Sequence, residues 1–237
     1  MCRFLVRMRT IRPAVLLCLI GMFGAPVQAA TIINGSFEMD PGVVSQGFEG
    51  HGAGQLFADM PFSGRSWGIW TSGIPGWSSF GHGLELQTDR TLGSDLSPAD
   101  GGYYAELDTK YNTTIAQDVF FDIGTYQLSF AYSPRTRQAR TNGLIYGIGS
   151  IFQSRVTGPS DDLPRGRFST VTQQFDVTQA GSYTLFFSGT GRSDSRGALL
   201  DDVQVSPIPL PGGAVLMVTA LFGLGALRRS NITRSAA

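Results

Sequence analysis

Two stretches of the chain repeat one pattern. "QDVFFDIGTYQLSFAYSPR" (117–135) and "QQFDVTQAGSYTLFFSGTGR" (173–192) each carry a strand-like run, a tight turn, Gly-(Ser/Thr)-Tyr and a second alternating run. Period-two alternation marks a half-buried strand. Two copies are too few for a solenoid, so they read as two similar hairpins of one sandwich. Gly124 and Gly181 are expected at turns that need positive φ. Other strand candidates are 66–71, 84–88, 113–121, 125–133, 143–156, 167–177, 182–189 and 197–206. "YYAELDT" alternates cleanly, placing Tyr104, Glu106 and Asp108 on one face and Ala105 and Leu107 on the other. No stretch shows helical periodicity. The expected fold is all-β, an antiparallel β-sandwich or jelly roll over 30–206. "SPRTRQARTNG" (133–143) interrupts the pattern and reads as a solvated loop around Arg135, Arg137 and Arg140.

The two ends read differently. Arg3, Arg7, Arg9 and Arg12 precede the apolar run "PAVLLCLIGMFGA" and the small residues of "VQAA". That is the order of a secretory signal peptide over 1–29, cleaved after Ala29. Both cysteines, Cys2 and Cys18, lie inside it. The exported domain therefore has no disulfides or thiolate metal sites to rely on and must be held by a core. Between the ends the chain carries 18 acids against 11 bases. This acidic balance repels polyphosphate and excludes nucleic acid as an expected partner, while remaining compatible with cations and neutral sugars.

At the other end stands "IPLPGGAVLMVTALFGLGALRR". Residues 212–227 carry no charge, and a helix there would be about 24 Å long, a little short of the ~30 Å hydrocarbon core. Arg228 and Arg229 follow, and the positive-inside rule keeps them cytoplasmic with the domain outside. A proline motif (Pro209, Leu210, Pro211), one apolar helix and an arginine pair resemble the bacterial PEP-CTERM-type sorting signal, in its Val-Pro-Leu-Pro-Ala variant. The departures are Ile208, Gly212 and the tail "SNITRSAA". The resemblance implies that 207–237 is a sorting segment, held in the inner membrane and cut by an exosortase-type protease, and that the product goes to the cell surface or medium.

Within the domain, "NGSFE", "SGIPGW", "GLELQ", "GGYYAELDTKYNTTIAQ", the two Gly-Tyr segments and "LLDDVQV" follow in an order that resembles galactose-binding-like sandwiches of exported proteins and carbohydrate-binding modules. That resemblance implies a structural calcium between Glu38 of the first strand and Asp201 or Asp202 of the last. Calcium takes six to eight oxygens, which carboxylates and backbone carbonyls supply. It also directs attention to Trp70 and Trp77, which flank "TSGIPG", as sugar-stacking platforms, with Glu85, Glu106 and Asp108 accepting hydrogen bonds from sugar hydroxyls. Tryptophan in a sandwich also serves as core, and acidic residues also line solvated sheet faces.

Signs of catalysis are weak. "GRSWG" around Ser66 has the Gly-x-Ser-x-Gly spacing without an apolar strand before it or a helix after it. His51 and His82 are the only histidines and stand apart. Glu106 and Asp108 are two residues apart, about 7 Å on a strand, a spacing that glycosidase carboxylates also use. The leading reading is a noncatalytic exported surface or matrix protein that binds extracellular polysaccharide. A purely structural matrix protein and a glycoside-acting enzyme are the alternatives. Replacing Arg228 and Arg229 with Ser is expected to impair retention and processing. Mass spectrometry of the surface form is expected to find a C-terminus between Pro209 and Gly213; a surface form that still carries Arg234 overturns the sorting expectation.

Overall fold

The computed structural model describes residues 30–38, 67–70, 74–89, 91–92 and 96–209. The expected signal peptide, the 212–227 run, Leu210, Pro211, Arg228, Arg229, His51 and Ser66 lie outside the described residues. None of the described residues forms a helix long and apolar enough to cross a membrane.

Eleven strands are described. They are β1 (Trp67–Trp70), β2 (Ser78–Phe80), β3 (Leu84–Gln87), β4 (Tyr104–Glu106), β5 (Thr114–Phe121), β6 (Gly124–Pro134), β7 (Gly143–Ile148), β8 (Phe152–Thr157), β9 (Ser169–Val177), β10 (Gly181–Thr190) and β11 (Ala198–Pro207). A six-stranded sheet has the order β1-β3-β4-β11-β6-β9 and a five-stranded sheet the order β2-β5-β10-β7-β8. Every neighbouring pair is antiparallel. The sheets meet through one apolar cluster that includes Leu84, Leu86, Leu128 and Leu200 from the first and Ile115, Val119, Leu144 and Leu185 from the second. Phe130 sets its ring edge-on to Phe187 at 5.2 Å and to Tyr146 at 4.8 Å. Burying such rings supplies much of the stabilisation of the described residues, which contain no cysteine.

Each sequence-predicted run contains a strand, but the run 143–156 divides at Gly149, whose φ of +44° turns the chain between β7 and β8. β2 was not expected, because three residues are too few to show alternation.

The repeated segments are not hairpins. β5 lies in the five-stranded sheet and β6 in the six-stranded one; β9 and β10 cross back the other way. Their strands pair crosswise, β5 with β10 and β6 with β9. The shared Gly-(Thr/Ser)-Tyr therefore marks two corners between sheets. At each corner the tyrosine hydroxyl donates to a carbonyl four residues back: Tyr126 to Asp122 O at 3.1 Å and Tyr183 to Gln179 O at 2.7 Å. Neither Gly124 nor Gly181 has positive φ, because the corner is closed by the tyrosine rather than by a left-handed residue.

Segment 30–38 packs against β11, where the register shifts between Asp201 and Gln204. Val203 N donates to Gly35 O at 3.0 Å, and a Cβ at Gly35 would stand 2.1 Å from Val203 O. Only glycine permits that approach.

Tyr126→Phe and Tyr183→Phe are each expected to lower unfolding free energy by about 1 kcal/mol, the net worth of one hydrogen bond. Urea denaturation should show lower midpoints with unchanged slopes; unchanged midpoints in both variants would remove the hydroxyls from the account of the corners.

Candidate functional site

On β3 and β4 the residues alternate between two covered faces. Leu84, Leu86 and Ala105 enter the core between the sheets. Glu85, Gln87, Tyr104 and Glu106 stand on the opposite, outer face of the six-stranded sheet. Register places Ile69, Glu85, Glu106, Leu199 and Ser133 in one row across five strands. Trp67, Gln87 and Tyr104 form the adjacent row. The outer face is itself roofed, since Leu92, Leu96 and Phe168 pack on Tyr104 and Leu199. The predicted parity holds, but the face carrying Glu106 and Asp108 is buried rather than solvated.

Glu85 and Glu106 are direct cross-strand partners, 6% and 0% exposed. Gln87 Nε2 donates to both, to Glu85 Oε1 at 2.7 Å and to Glu106 Oε2 by a shorter bond. Arg135 reaches in from the end of β6 and pairs with Glu106 through Nη1, which also donates to Ser195 O at 3.1 Å. Gly197 N donates to Glu106 Oε1 at 2.7 Å. Arg135 thus leaves the solvated loop expected for it, while Arg137 and Arg140 remain exposed. Two buried carboxyls lie near one guanidinium, which bonds Glu106 and acts on Glu85 through its charge. Burial pushes the Glu106 carboxyl up to about 8, against the pull of Arg135 and with the Glu85 charge adding to the rise. Burial likewise raises Glu85. The pair therefore retains a proton at neutral pH.

Three oxygens on the same outer face have no partner, Gln87 Oε1, Tyr104 OH and, two strands from Glu106, Ser133 Oγ, all on fully buried residues. Sequence reasoning singled out neither Gln87, Ser133 nor Arg135 for a site. Gln87 and Ser133 do have a signal, since each follows the outward parity of its strand.

Asp108 stands apart from the carboxyl pair. Its Oδ1 accepts from Ser193 Oγ at 3.1 Å and its Oδ2 from Asp194 N and Arg196 N at 2.8 and 3.3 Å. Both oxygens are committed to holding the 193–196 loop. A Cβ at Gly197 would lie 2.6 Å from Asp108 Cβ, so glycine lets that loop close over the strand.

The tryptophan platforms are corrected. Trp70 is 1% exposed and Trp77 6%. Trp77 packs on Phe37 and Phe187, with ring centroids 5.4 and 6.1 Å away, and its Nε1 donates to Asn34 O at 2.8 Å. Their area is used by the core, and neither offers a free ring face. Among the described residues Tyr111 and His82 form an exposed ring pair, with centroids 4.6 Å apart, and Phe80 and Phe120 are exposed as well. An aromatic inside the polar turn "TKYNTT" is the sequence signal for it.

Two of the three expected metal residues, Glu38 and Asp201, bond the same loop. Glu38 Oε1 accepts from Gly102 N and Tyr103 N at 2.8 and 3.1 Å. Asp201 Oδ2 accepts from Ala99 N and Asp100 N at 2.7 and 3.1 Å. Both carboxylates hold the 99–103 loop, where Gly101, at φ +66°, leaves room that a Cβ 2.2 Å from Glu38 Oε1 would fill. Asp202 takes no part, since its Oδ1 accepts from Gln204 Nε2 at 2.5 Å. Asp201 is fully buried, its carboxyl pushed by burial up to about 7. Among the described residues no basic side chain pairs with it; the backbone N–H groups of Ala99, Asp100 and Asp202 bond its two oxygens instead. No group of three or more metal-binding acids, histidines or cysteines is present among the described residues.

The fold and the site define an all-β sandwich domain with a buried, charged outer sheet face. No protein-family model matches the chain, and no curated protein matches it. Among solved structures it is similar to a family 61 carbohydrate-binding module in complex with β-1,4-galactotriose. The identity is 14% and the TM-score 0.43, covering 56% of this chain and 88% of that one. It is similar to a family 35 carbohydrate-binding module from Clostridium thermocellum at 15% identity and TM-score 0.39, covering 56% of this chain and 92% of that one. It is also similar to an arabinose-bound family 51 α-L-arabinofuranosidase at 11% identity and TM-score 0.43, covering 60% of this chain and 25% of that one.

The carboxyl pair sets a pH dependence. The folded state holds a proton on Glu106 that the unfolded chain releases near its ordinary value of 4.5, so stability falls as pH rises from about 4.5 to about 8. Glu85→Gln is expected to flatten that fall by removing one titrating carboxyl and its charge on Glu106, while the burial of Glu106 and Asp201 supplies what remains. Thermal melts across this range check it; an unchanged slope in Glu85→Gln would remove the pair as its source.

Proposed function

We propose that this chain is a noncatalytic, exported glycan-binding domain, delivered to the cell surface or extracellular matrix by its C-terminal sorting segment. One observation carries the binding reading: three fully buried oxygens without partners lie on the sheet face that carries a carboxyl pair and an arginine. Proteins pair nearly all buried polar atoms, and each unpaired one costs about 1–3 kcal/mol. A sugar presents several hydroxyls, each able to donate and accept, and such a ligand supplies the missing partners once the cover over this face opens. The noncatalytic reading is supported by the carboxylates themselves. Glu85 and Glu106 share one donor nitrogen, and Asp108 is bound to its own loop.

The test is calorimetry of the purified domain with neutral and acidic polysaccharides, using Ser133→Ala. Loss of one ligand hydrogen bond is expected to weaken binding about tenfold. Because the hydroxyl has no protein partner, Ser133→Ala should melt no lower than wild type. Absence of binding to every polysaccharide would leave the structural-matrix reading in its place.

In this reading Glu38, Asp201 and carbonyls of the 99–103 loop hold a calcium ion that stiffens the loop. At ten times its dissociation constant the ion adds about 1.4 kcal/mol. Melting of wild type is expected to drop in a chelator, and Glu38→Gln should abolish the difference; superimposable curves with and without calcium would remove the ion.

A further inference from the structure

We propose that the end of the sandwich built by the β4–β5, β6–β7 and β10–β11 loops binds an acidic polysaccharide, its carboxylates on exposed arginines and a sugar ring on Tyr111. The inference rests on the glycan-binding reading and adds a second contact surface and a charge class. Loops 107–113, 135–142 and 191–197 carry Lys110, Arg135, Arg137, Arg140, Arg192 and Arg196, more than half of the 11 bases between the two ends of the chain. They carry two acids. Asp108 is buried and committed to the 193–196 loop, and Asp194 lies 3.8 Å from Arg192. A domain that is acidic as a whole thus gathers positive charge at one end.

Hydrogen bonds hold these loops to one another. Arg192 N donates to Arg140 O at 2.8 Å, and Asn112 donates through N to Ser193 Oγ and through Nδ2 to Gly191 O, both at 3.1 Å. A Cβ at Gly191, where φ is +108°, would stand 2.2 Å from Arg140 O, so glycine lets the two arginine-bearing loops meet. Arg155 joins them from β8, since a Cβ at Gly143 would stand 3.1 Å from its Nη2. Arg135 is neutralised by Glu106. Lys110, Arg137, Arg140, Arg155 and Arg196 are exposed, and among the described residues no carboxylate pairs with them. Beside them Tyr111, 52% exposed, pairs with His82, also exposed.

A uronate chain complements both features. Its carboxylates match the guanidinium forks, and the apolar face of a pyranose ring lies on the tyrosine. A single-stranded nucleic acid, the competing polyanion, takes a run of rings on which successive bases stack. Among the described residues this end offers it one ring pair.

The experiment is calorimetry of the full chain near neutral pH with polygalacturonate, its fully methyl-esterified form and oligo(dT). The ester keeps the sugar backbone and removes the charge. Polygalacturonate is expected to bind at least about tenfold more tightly than the ester. Its binding should weaken as sodium chloride is raised, because contacts to exposed charges are screened. The double variant Arg140→Ser, Arg192→Ser should lose the preference for the acid while melting like wild type, and Tyr111→Ala should weaken both polymers. Equal affinity for acid and ester overturns the inference and leaves glycan binding standing. No binding of any polysaccharide overturns both. Salt-insensitive binding, a preference that survives the double variant, or oligo(dT) binding as tight as polygalacturonate overturns it as well; the ester comparison and the salt series need no variant to fold.

Discussion

Glu106 ties together strands of the six-stranded sheet. It accepts from Gln87 on β3, from Arg135 at the end of β6 and from Gly197 N at the entry to β11, while its own strand lies between β3 and β11. One carboxylate thus links four strands of the six-stranded sheet. Removing a partner from such a buried group leaves an uncompensated charge, which costs far more than the intact pair contributes. The arrangement therefore specifies the sheet, through Arg135 and Gly197, more than it adds to stability. It also demands that the outer face stay covered, and Leu92, Leu96 and Phe168 meet that demand.

The apolar core is organised around the two corners. Because β5 and β6 belong to different sheets, and β9 and β10 cross in the opposite sense, the same two segments stitch both sheets twice. Phe121, Tyr126 and Phe175 sit at this seam, with Phe121 edge-on to Tyr126 at 5.1 Å and to Phe175 at 5.6 Å. The contacts span long sequence distances, so the chain must close large loops before the core repays them. Local closure of each corner by its own tyrosine reduces that search.

The outer face shows how a sandwich can carry chemistry away from its core. Apolar alternation into the intersheet space leaves the alternate positions of β3 and β4 free of packing duties. Once a second apolar layer covers them, any charge placed there is desolvated, and its protonation becomes sensitive to what else is present. Two acids face one arginine there, with three oxygens left unpaired on the same face.

The all-β class, the position of most strands and the two-face parity of "YYAELDT" were legible in the sequence, because period-two alternation is a local property of the chain. The Gly-(Ser/Thr)-Tyr repeat was legible as a repeat, but not as a pair of corners: a hairpin and an intersheet crossing share the same turn residues, and only partner choice separates them. Glu85 and Glu106 were legible as candidates; their pairing was not, since cross-strand register depends on how β3 meets β4. The sequence also left Trp70 and Trp77 open between platform and core. Tertiary packing decided that, since their large apolar area lies where the two sheets close. Arg135 looked like one of three solvated loop arginines. Only the fold separated it from Arg137 and Arg140, by running β6 to Pro134 and bringing its end beside a buried acid that is 29 residues away in the chain.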